Sequence, residues 1–537
     1  MSRTSQAARL LGQASVAAFA ASLLSAGSIS HAHAADPETA ARIEALERAI
    51  RQQQEQIAQQ AAQIRDLKAG SAAQVAEVRR TVAEQPKIEF RNGRPTFASA
   101  DGKFSVALRS TVQFDYANYL QQDGGVFADD PRRGSVGDAA ESVRARDLGS
   151  GTNFRRAQFG IEGKLFGDFD YAAIYEFGGA GTEDQGRLTQ GWVGYSGFKP
   201  FLIRAGALTP PSGLDDSFSS PNTLFLERAT PAELARAVAG GDGRSSVGAQ
   251  GYGDRWFGSL YFTGSSVATA AGFDEQTALL GRATFVPWKD ADTLVHLGVN
   301  GSYVFGVQQG DPNNNPATTA RQPFRFRDRP EIRVDATRLI DTGNINADHV
   351  GVVGVELAGT WKSTYVGGEY FRYSIDRSNL GAADLSSPHF QGFYVQAAQL
   401  LTGETRAYSP NTGGFAGIRP NAPFALDGSG WGAFEIAGRY SYTDLNYNEG
   451  EPDTALPTDG VRGGRQKAWT VGLNWYPTSA VRVLLDYQNI SVDRLSPGGT
   501  AFTSAASGSS LAITTPAAGT QIGQDLEVIA LRTQFAF

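Results

Sequence analysis

The chain contains no cysteine in 537 residues, which excludes disulfides, thiolate metal sites and cysteine nucleophiles. Histidine is scarce too, with five in the whole sequence, so a histidine-based centre has few candidate ligands. The G-x-S-x-G, H-E-x-x-H and P-loop patterns are also missing. We therefore expect no enzyme activity, no cofactor and no metal site.

Long apolar runs are missing as well. Although 41% of the residues are hydrophobic, no stretch after the N terminus has the ~18 continuous apolar residues of a membrane helix. The N terminus itself has Arg3 and Arg9, then a short apolar region, then Ala32-His33-Ala34. This order is typical of a secretory signal peptide over residues 1–34. The net charge of −7 becomes more negative when the two arginines are removed, and we expect no nucleic-acid partner.

A helical pattern follows the signal. Ile43, Ile50, Ile57 and Ile64 recur every seven residues, as at the a positions of a coiled coil, and isoleucine there is more compatible with three helices than with two. We predict a coiled coil over residues 36–69 and a linker over 70–96. The alternative is a single solvated helix.

From residue 97 the apolar period changes to two. Phe104, Val106 and Leu108 share one face of a predicted strand, and the final segment Leu531–Phe537 alternates in the same way up to an aromatic C terminus. Residues 97–537 are long enough for roughly sixteen spanning strands. We predict an all-β transmembrane antiparallel barrel with an aqueous channel, preceded by the α-helical coiled coil. A soluble sandwich has the same periodicity, but the signal peptide and Phe537 favour the outer membrane.

Arginine is the residue type that suggests a function. Arg325, Arg327 and Arg329 alternate along one segment, which would put three guanidiniums on one side of an extended chain. Arg155 and Arg156 open a predicted strand, and four more arginines lie on the polar faces of theirs: Arg109, Arg204, Arg439 and Arg482. In a lumen they would concentrate anions and bind phosphate oxygens. The alternative is that they pair with acids of the wall, here Asp328, Glu331, Glu435 and Asp486.

Several segments, in this order, resemble the phosphate-selective porin O and P family. They are Phe154-Arg155-Arg156-Ala157, Thr209-Pro210-Pro211-Ser212-Gly213-Leu214, Phe225-Leu226-Glu227-Arg228, Arg329-Pro330-Glu331, Leu400 to Arg406, and Gly472 to Pro477. The resemblance implies a homotrimeric outer-membrane channel for small anions, with the helix in the periplasm.

When the motifs of the family are matched residue by residue to this sequence, the resemblance implies a path for anions through the channel. Its candidates are Arg109, Arg155, Arg156, Arg228, Arg325, Arg327 and Arg329. The sequence departs from the family at the constriction, because no lysine occurs from Thr209 to Arg255. From the resemblance we expect an outer-membrane porin for passive uptake of small anions, with phosphate or polyphosphate as the solute and outer-membrane lipid around the barrel. A general or sugar-conducting porin and a structural envelope-tethering barrel are the alternatives.

Overall fold

The computed structural model describes residues 37–91, 93–120, 148–178, 186–267, 274–308, 323–378, 385–498 and 517–537. The predicted signal peptide lies outside this part of the chain. Among the described residues no helix is both long and apolar enough to cross a membrane.

The N-terminal unit is one long helix, α1, over Pro37–Glu84. It continues past the predicted end at 69, because Gly70 costs a helix about 1 kcal/mol without ending it and no proline occurs before Pro86. The predicted linker is therefore wrong over most of its length. Its second half forms a hairpin of β1 (Lys87–Arg91) and β2 (Arg94–Ala98). The isoleucine stripe is exposed, with Ile57 at 63%, and the association of helices stays a prediction.

The second unit is a closed antiparallel barrel of 16 strands, as predicted. The last strand pairs with the first, for example Leu531 with Tyr116, which closes the barrel without a free edge. The strands are β3 Ser105–Tyr119, β4 Gly151–Leu165, β5 Phe169–Glu176, β6 Arg187–Tyr195, β7 Phe201–Leu208, β8 Arg244–Tyr252, β9 Trp256–Ser266, β10 Thr277–Lys289, β11 Thr293–Gly306, β14 Ala347–Trp361, β15 Thr364–Arg377, β16 His389–Leu400, β19 Ala433–Tyr447, β20 Val461–Tyr476, β21 Val481–Asp493 and β22 Gln524–Ala536.

Side chains alternate between the lumen and the outside along each strand. On β22, Arg532 and Gln534 are buried inside, whereas Leu531 and Phe535 are exposed outside. A soluble sandwich would bury the apolar face instead. The exposed apolar face is that of a barrel in a membrane.

Among the connections that the structure describes, three fold into the lumen. Loop A (residues 209–243) follows β7 and contains α2 (Leu214–Ser217), a 3-10 turn (Ser220–Asn222) and α3 (Thr230–Ala239). Loop B (residues 323–346) precedes β14 and contains the hairpin β12 (Arg327–Asp328) and β13 (Ile340–Asp341). Loop C (residues 401–432) follows β16 and contains β17 (Tyr408–Ser409) and β18 (Gly414–Phe415).

Loop C comes from the opposite end of the barrel to loops A and B. The other turns at its end are short, such as residues 362–363 and 290–292, and short turns are periplasmic in such barrels. Arg282 of β10 holds loop C inside, since its Nη1 and Nη2 donate to the carbonyls of Thr412 and Gly413 at 2.8 and 2.7 Å. The lumen is therefore narrowed from both ends.

One side of the lumen is packed solid. Leu234 and Val238 of α3 are buried in one cluster with Ile332 of loop B and with Phe371 and Tyr373 of β15. Burial of this apolar surface, worth about 25 cal/mol per Å², fixes loops A and B against β10–β20. The remaining space lies on the side of β3–β8.

Candidate functional site

The open space begins with a cleft of about 240 Å³ between loop A and the wall of β3–β8. Apart from Pro211 and Pro221, its lining residues are polar or charged, and they include Arg109, Thr111, Gln158, Gln190, Arg204, Gln250, Ser217, Ser219 and Arg228. Two wider spaces, of about 380 and 680 Å³, share lining residues with it and extend along the lumen. The three spaces are therefore neighbours in the lumen, beside loop A and on its short-turn side.

Arg204 of β7 lies on this wall, and its hydrogen-bond partners are uncharged side chains. Its Nη2 donates to Gln250 Oε1 at 2.6 Å and to Tyr261 Oη at 2.7 Å. Its guanidinium also lies over the ring of Trp192, 5.2 Å from the centroid. Among the described residues no carboxylate pairs with it, so its positive charge is presented to the cleft.

Arg109 of β3 shares one acid with a second cation. Its Nη1 lies 3.0 Å from Glu162 of β4, and Arg94 of β2 binds the other oxygen of the same carboxylate. Two guanidiniums against one carboxylate leave an excess positive charge. All three side chains are about one third exposed, so water and solutes reach them.

The carboxylates that line the cleft form ion pairs with one buried arginine. Arg236 of α3 bonds both Asp216 and Asp242 at 2.6 Å. Burial raises the pKa of Asp242, but Arg236 outweighs it and holds the pKa below its usual range. Arg228, whose Nη2 is 3.8 Å from Asp216, lines the cleft beside them. These ion pairs offset the negative charge of the acids, and the wall remains positive.

Arg155 and Arg156 are brought to the lumen by a β-bulge rather than by alternation. Gln113 pairs with Arg156 and Phe114 with Phe154, which leaves Arg155 as the extra residue. Both are buried. Arg155 binds Glu227 of loop A at 2.6 and 3.0 Å, and Arg156 donates to Gln113 at 2.8 Å. They fasten loop A to the wall, and the path lies elsewhere.

The row at 325–329 does not present three charges on one face. Arg325 forms a bidentate pair with Asp341, with Nε 2.6 Å from Oδ1, whereas Arg327 is exposed and Arg329 is buried. Only two residues of the row are in β12, and Pro323 and Pro330 bracket it. The segment is an inward loop and not a spanning strand, so the expectation of a common face is wrong.

The wall-pairing alternative holds for other arginines. Arg439 binds Glu331 of loop B, and Arg406 of loop C lies 2.5 Å from Glu435. Sequence reasoning missed Arg94, which fell in the predicted linker, and it did not rank Arg204 above the other lumenal arginines. It also missed loop C. Alternation marks the polar face of a strand, but it does not show which part of that face stays open.

A closed sixteen-strand barrel with a polar lumen narrowed by inward loops is a porin of the outer membrane. The chain belongs to the phosphate-selective porin O and P family, whose sequence model matches residues 132–497, more than half of the chain. The predicted family and fold class are thus confirmed.

Among similar proteins, Porin O of Pseudomonas aeruginosa is 25% identical over 417 residues, covering 74% of this chain and 85% of that protein. An uncharacterized protein of Caulobacter vibrioides is 28% identical over 416 residues, covering 74% of this chain and 71% of that protein. Among solved structures, the anion-selective porin from Comamonas acidovorans superposes with a TM-score of 0.44 at 11% identity, covering 81% of this chain and all of that one (100%).

Proposed function

We propose that the protein forms a water-filled channel for passive uptake of small inorganic anions, with phosphate and polyphosphate as the solute class. The observation that carries this proposal is the cleft between loop A and β3–β8. Arg109, Arg204 and Arg228 line it, while the acids beside them are held by Arg236.

The effect of one such charge can be estimated. A unit charge at about 6 Å in water contributes about 0.7 kcal/mol, which corresponds to about threefold in the local concentration of a monovalent anion. A divalent phosphate gains twice that free energy. Arginine stays protonated over the physiological range, so the preference for anions holds at every pH at which the bacterium grows.

The neutral lining suits an oxyanion. Hydroxyls of Thr111 and Ser219 and amides of Gln158 and Gln190 line the same cleft, and each can donate to a phosphate oxygen. Loop A has no lysine, so its cations are the two arginines Arg228 and Arg236, and both lie against Asp216. This arrangement supports anion preference with modest phosphate affinity.

The test is the reversal potential of the channel in a planar bilayer under a salt gradient. Arg204→Gln should lower the ratio of anion to cation permeability about tenfold, because the lost charge concentrates a monovalent anion about threefold and depletes a monovalent cation by the same factor. It should also weaken the block of chloride current by phosphate. Arg255→Gln, an exposed arginine of the turn after β8, is the matched control and should leave both unchanged. Wild-type selectivity in Arg204→Gln would contradict the anion path and favour a general or sugar-conducting porin. An absence of conductance in the wild type would favour the envelope-tethering alternative.

We further propose a homotrimer with α1 in the periplasm. The hairpin that follows α1 supports this location, because β2 pairs with residues 105–107 of β3 at the end of the barrel that carries the short turns. Three copies of α1 would cover the exposed isoleucine stripe.

A further inference from the structure

Arg372 is a charged side chain on the outer face of the barrel. It lies exposed on β15 between the outward-facing Tyr370 and Ser374. Among the described residues it forms no ion pair. A charge on the lipid-facing side of a barrel is disfavoured, and increasingly so with depth in the hydrocarbon. The position therefore calls for an anionic partner.

The height of Arg372 places it at the border of the hydrocarbon. β15 starts at Thr364, directly after a short turn. Eight residues at about 3.3 Å each, on a strand tilted by about 40°, raise Arg372 roughly 20 Å above that end. The apolar band of such barrels is about 25 Å tall. The backbone of Arg372 therefore lies about 5 Å below the upper edge of this band, and its long side chain extends from there to the headgroup level on the long-loop side, which is the outer leaflet.

Two hydrogen-bond donors lie beside the guanidinium. Gln391 of β16 is directly opposite Arg372 in the ladder. Tyr370 Oη donates to Gln391 Oε1 at 3.1 Å, which turns the amide nitrogen outward as a donor. Ser374 supplies a hydroxyl two residues further along β15. A cation with an amide and a hydroxyl on one small patch matches the oxygens of a phosphate group.

Two apolar grooves run from this patch. The first, of about 500 Å³, contains Arg372 itself and is lined by Leu260, Leu279, Tyr303 and Val353. It is open because Gly281 and Gly301 occupy the ladder row that leads to Val353 and Arg372. The second, of about 690 Å³, lies lower and is lined by aliphatic residues that include Leu297, Val355, Leu357, Val366 and Val395. Both grooves present apolar surface that acyl chains can cover.

We propose that this face binds a phosphorylated glycolipid of the outer leaflet. The phosphate lies on Arg372, Gln391 and Ser374, and acyl chains lie in the two grooves. Charge complementarity selects this occupant, because an acyl chain alone does not use the arginine and a second copy of the face would bring another cation. The inference concerns the outside of the barrel and is independent of what the channel conducts.

The headgroup is tested with the full-length protein, stripped of lipid in a neutral detergent and titrated with bis-phosphorylated lipid A, with bound lipid counted by native mass spectrometry. Arg372→Gln should bind about tenfold more weakly, the loss of one charge-assisted bond. Arg465→Gln is the matched control, since Arg465 is also on the outer face but is paired with Asp444 at 3.0 Å, and it should bind as the wild type does. Dephosphorylated lipid A should bind the wild type as weakly as the intact lipid binds Arg372→Gln.

The acyl groove is tested separately. A Cβ at Gly281 would meet Leu260 Cδ1 at 3.4 Å, an ordinary contact, so Gly281→Val fills the groove without moving the strand. It should weaken binding of both lipids, whereas Gly438→Val, on the outer face of β19 with nothing within 4 Å of its Cβ, should not.

Three results would overturn the proposal. They are equal binding by the wild type and Arg372→Gln, displacement of the lipid by inorganic phosphate alone, and a change of oligomeric state in Arg372→Gln. The last would mean that this face is an interface between copies.

Discussion

Glu227 of loop A connects three parts of the barrel, and replacing it with glutamine should release loop A. The carboxylate binds Arg155 of β4 at 2.6 Å, Arg532 of β22 at 2.9 Å and Arg333 of loop B at 3.3 Å. Its side chain is 8% exposed. Burial raises its pKa, but the three arginines outweigh burial and hold the pKa well below the ordinary value of 4.5.

The size of the effect follows from that burial. Glu227→Gln keeps the volume but leaves buried cations with less compensation, which costs about 3–5 kcal/mol. The barrel strands keep their own hydrogen bonds, so the loss falls on the docking of loop A. A cost of about 3 kcal/mol raises the population of the undocked loop roughly a hundredfold.

Hydrogen–deuterium exchange of residues 209–243 measures this population, and single-channel recordings should show added current noise. Glu162→Gln is the control, since that side chain is 28% exposed and its pairs are worth no more than about 1 kcal/mol. Because the pKa of Glu227 is lowered, the advantage of the wild type is present above pH ~4.5 and is lost as the pH falls towards its folded pKa. Unchanged exchange at neutral pH would refute the reasoning.

Three further results are expected. Deleting residues 36–69 should leave the barrel inserted but weaken the oligomer, as measured by sedimentation. The predicted coiled coil would be contradicted if the 36–69 peptide and the full-length protein were both monomeric. Burial raises the pKa of Asp328 to about 7. Ionising this carboxyl in the folded protein therefore lowers the free energy of unfolding as the pH rises from about 4 to 7. Asp328→Asn should raise the melting temperature at pH ~8 and leave it unchanged at pH ~4. Arg282→Lys keeps the charge but loses the planar guanidinium that holds loop C. Proteolysis of loop C and the conductance should therefore both increase. Wild-type values for both would contradict the role of Arg282 in holding loop C inside the lumen.

The sequence by itself determined the strands and their two faces. Adjacent residues such as Leu531 and Arg532 point to opposite faces of a strand, and the pattern repeats every two residues. It therefore depends only on residues close in the sequence and can be recognised without the structure. The length of residues 97–537 likewise bounded the number of strands, and the order of short motifs indicated the family. The helical period of α1 was clear, but its end was not, since no residue there stops a helix before Pro86.

Only the tertiary structure decided which arginines face the path. Arg155 and Arg204 read alike in the sequence, yet one is buried against Glu227, 72 residues away, and the other faces open space. The difference comes from loops A, B and C folding into the lumen, where charges far apart in the chain meet, as Arg532 and Glu227 of loop A do across 305 residues. The period of two in the sequence identifies the polar side of a strand. Whether a charged side chain on that side is paired or open to solutes depends on the side chains that the inward loops bring next to it.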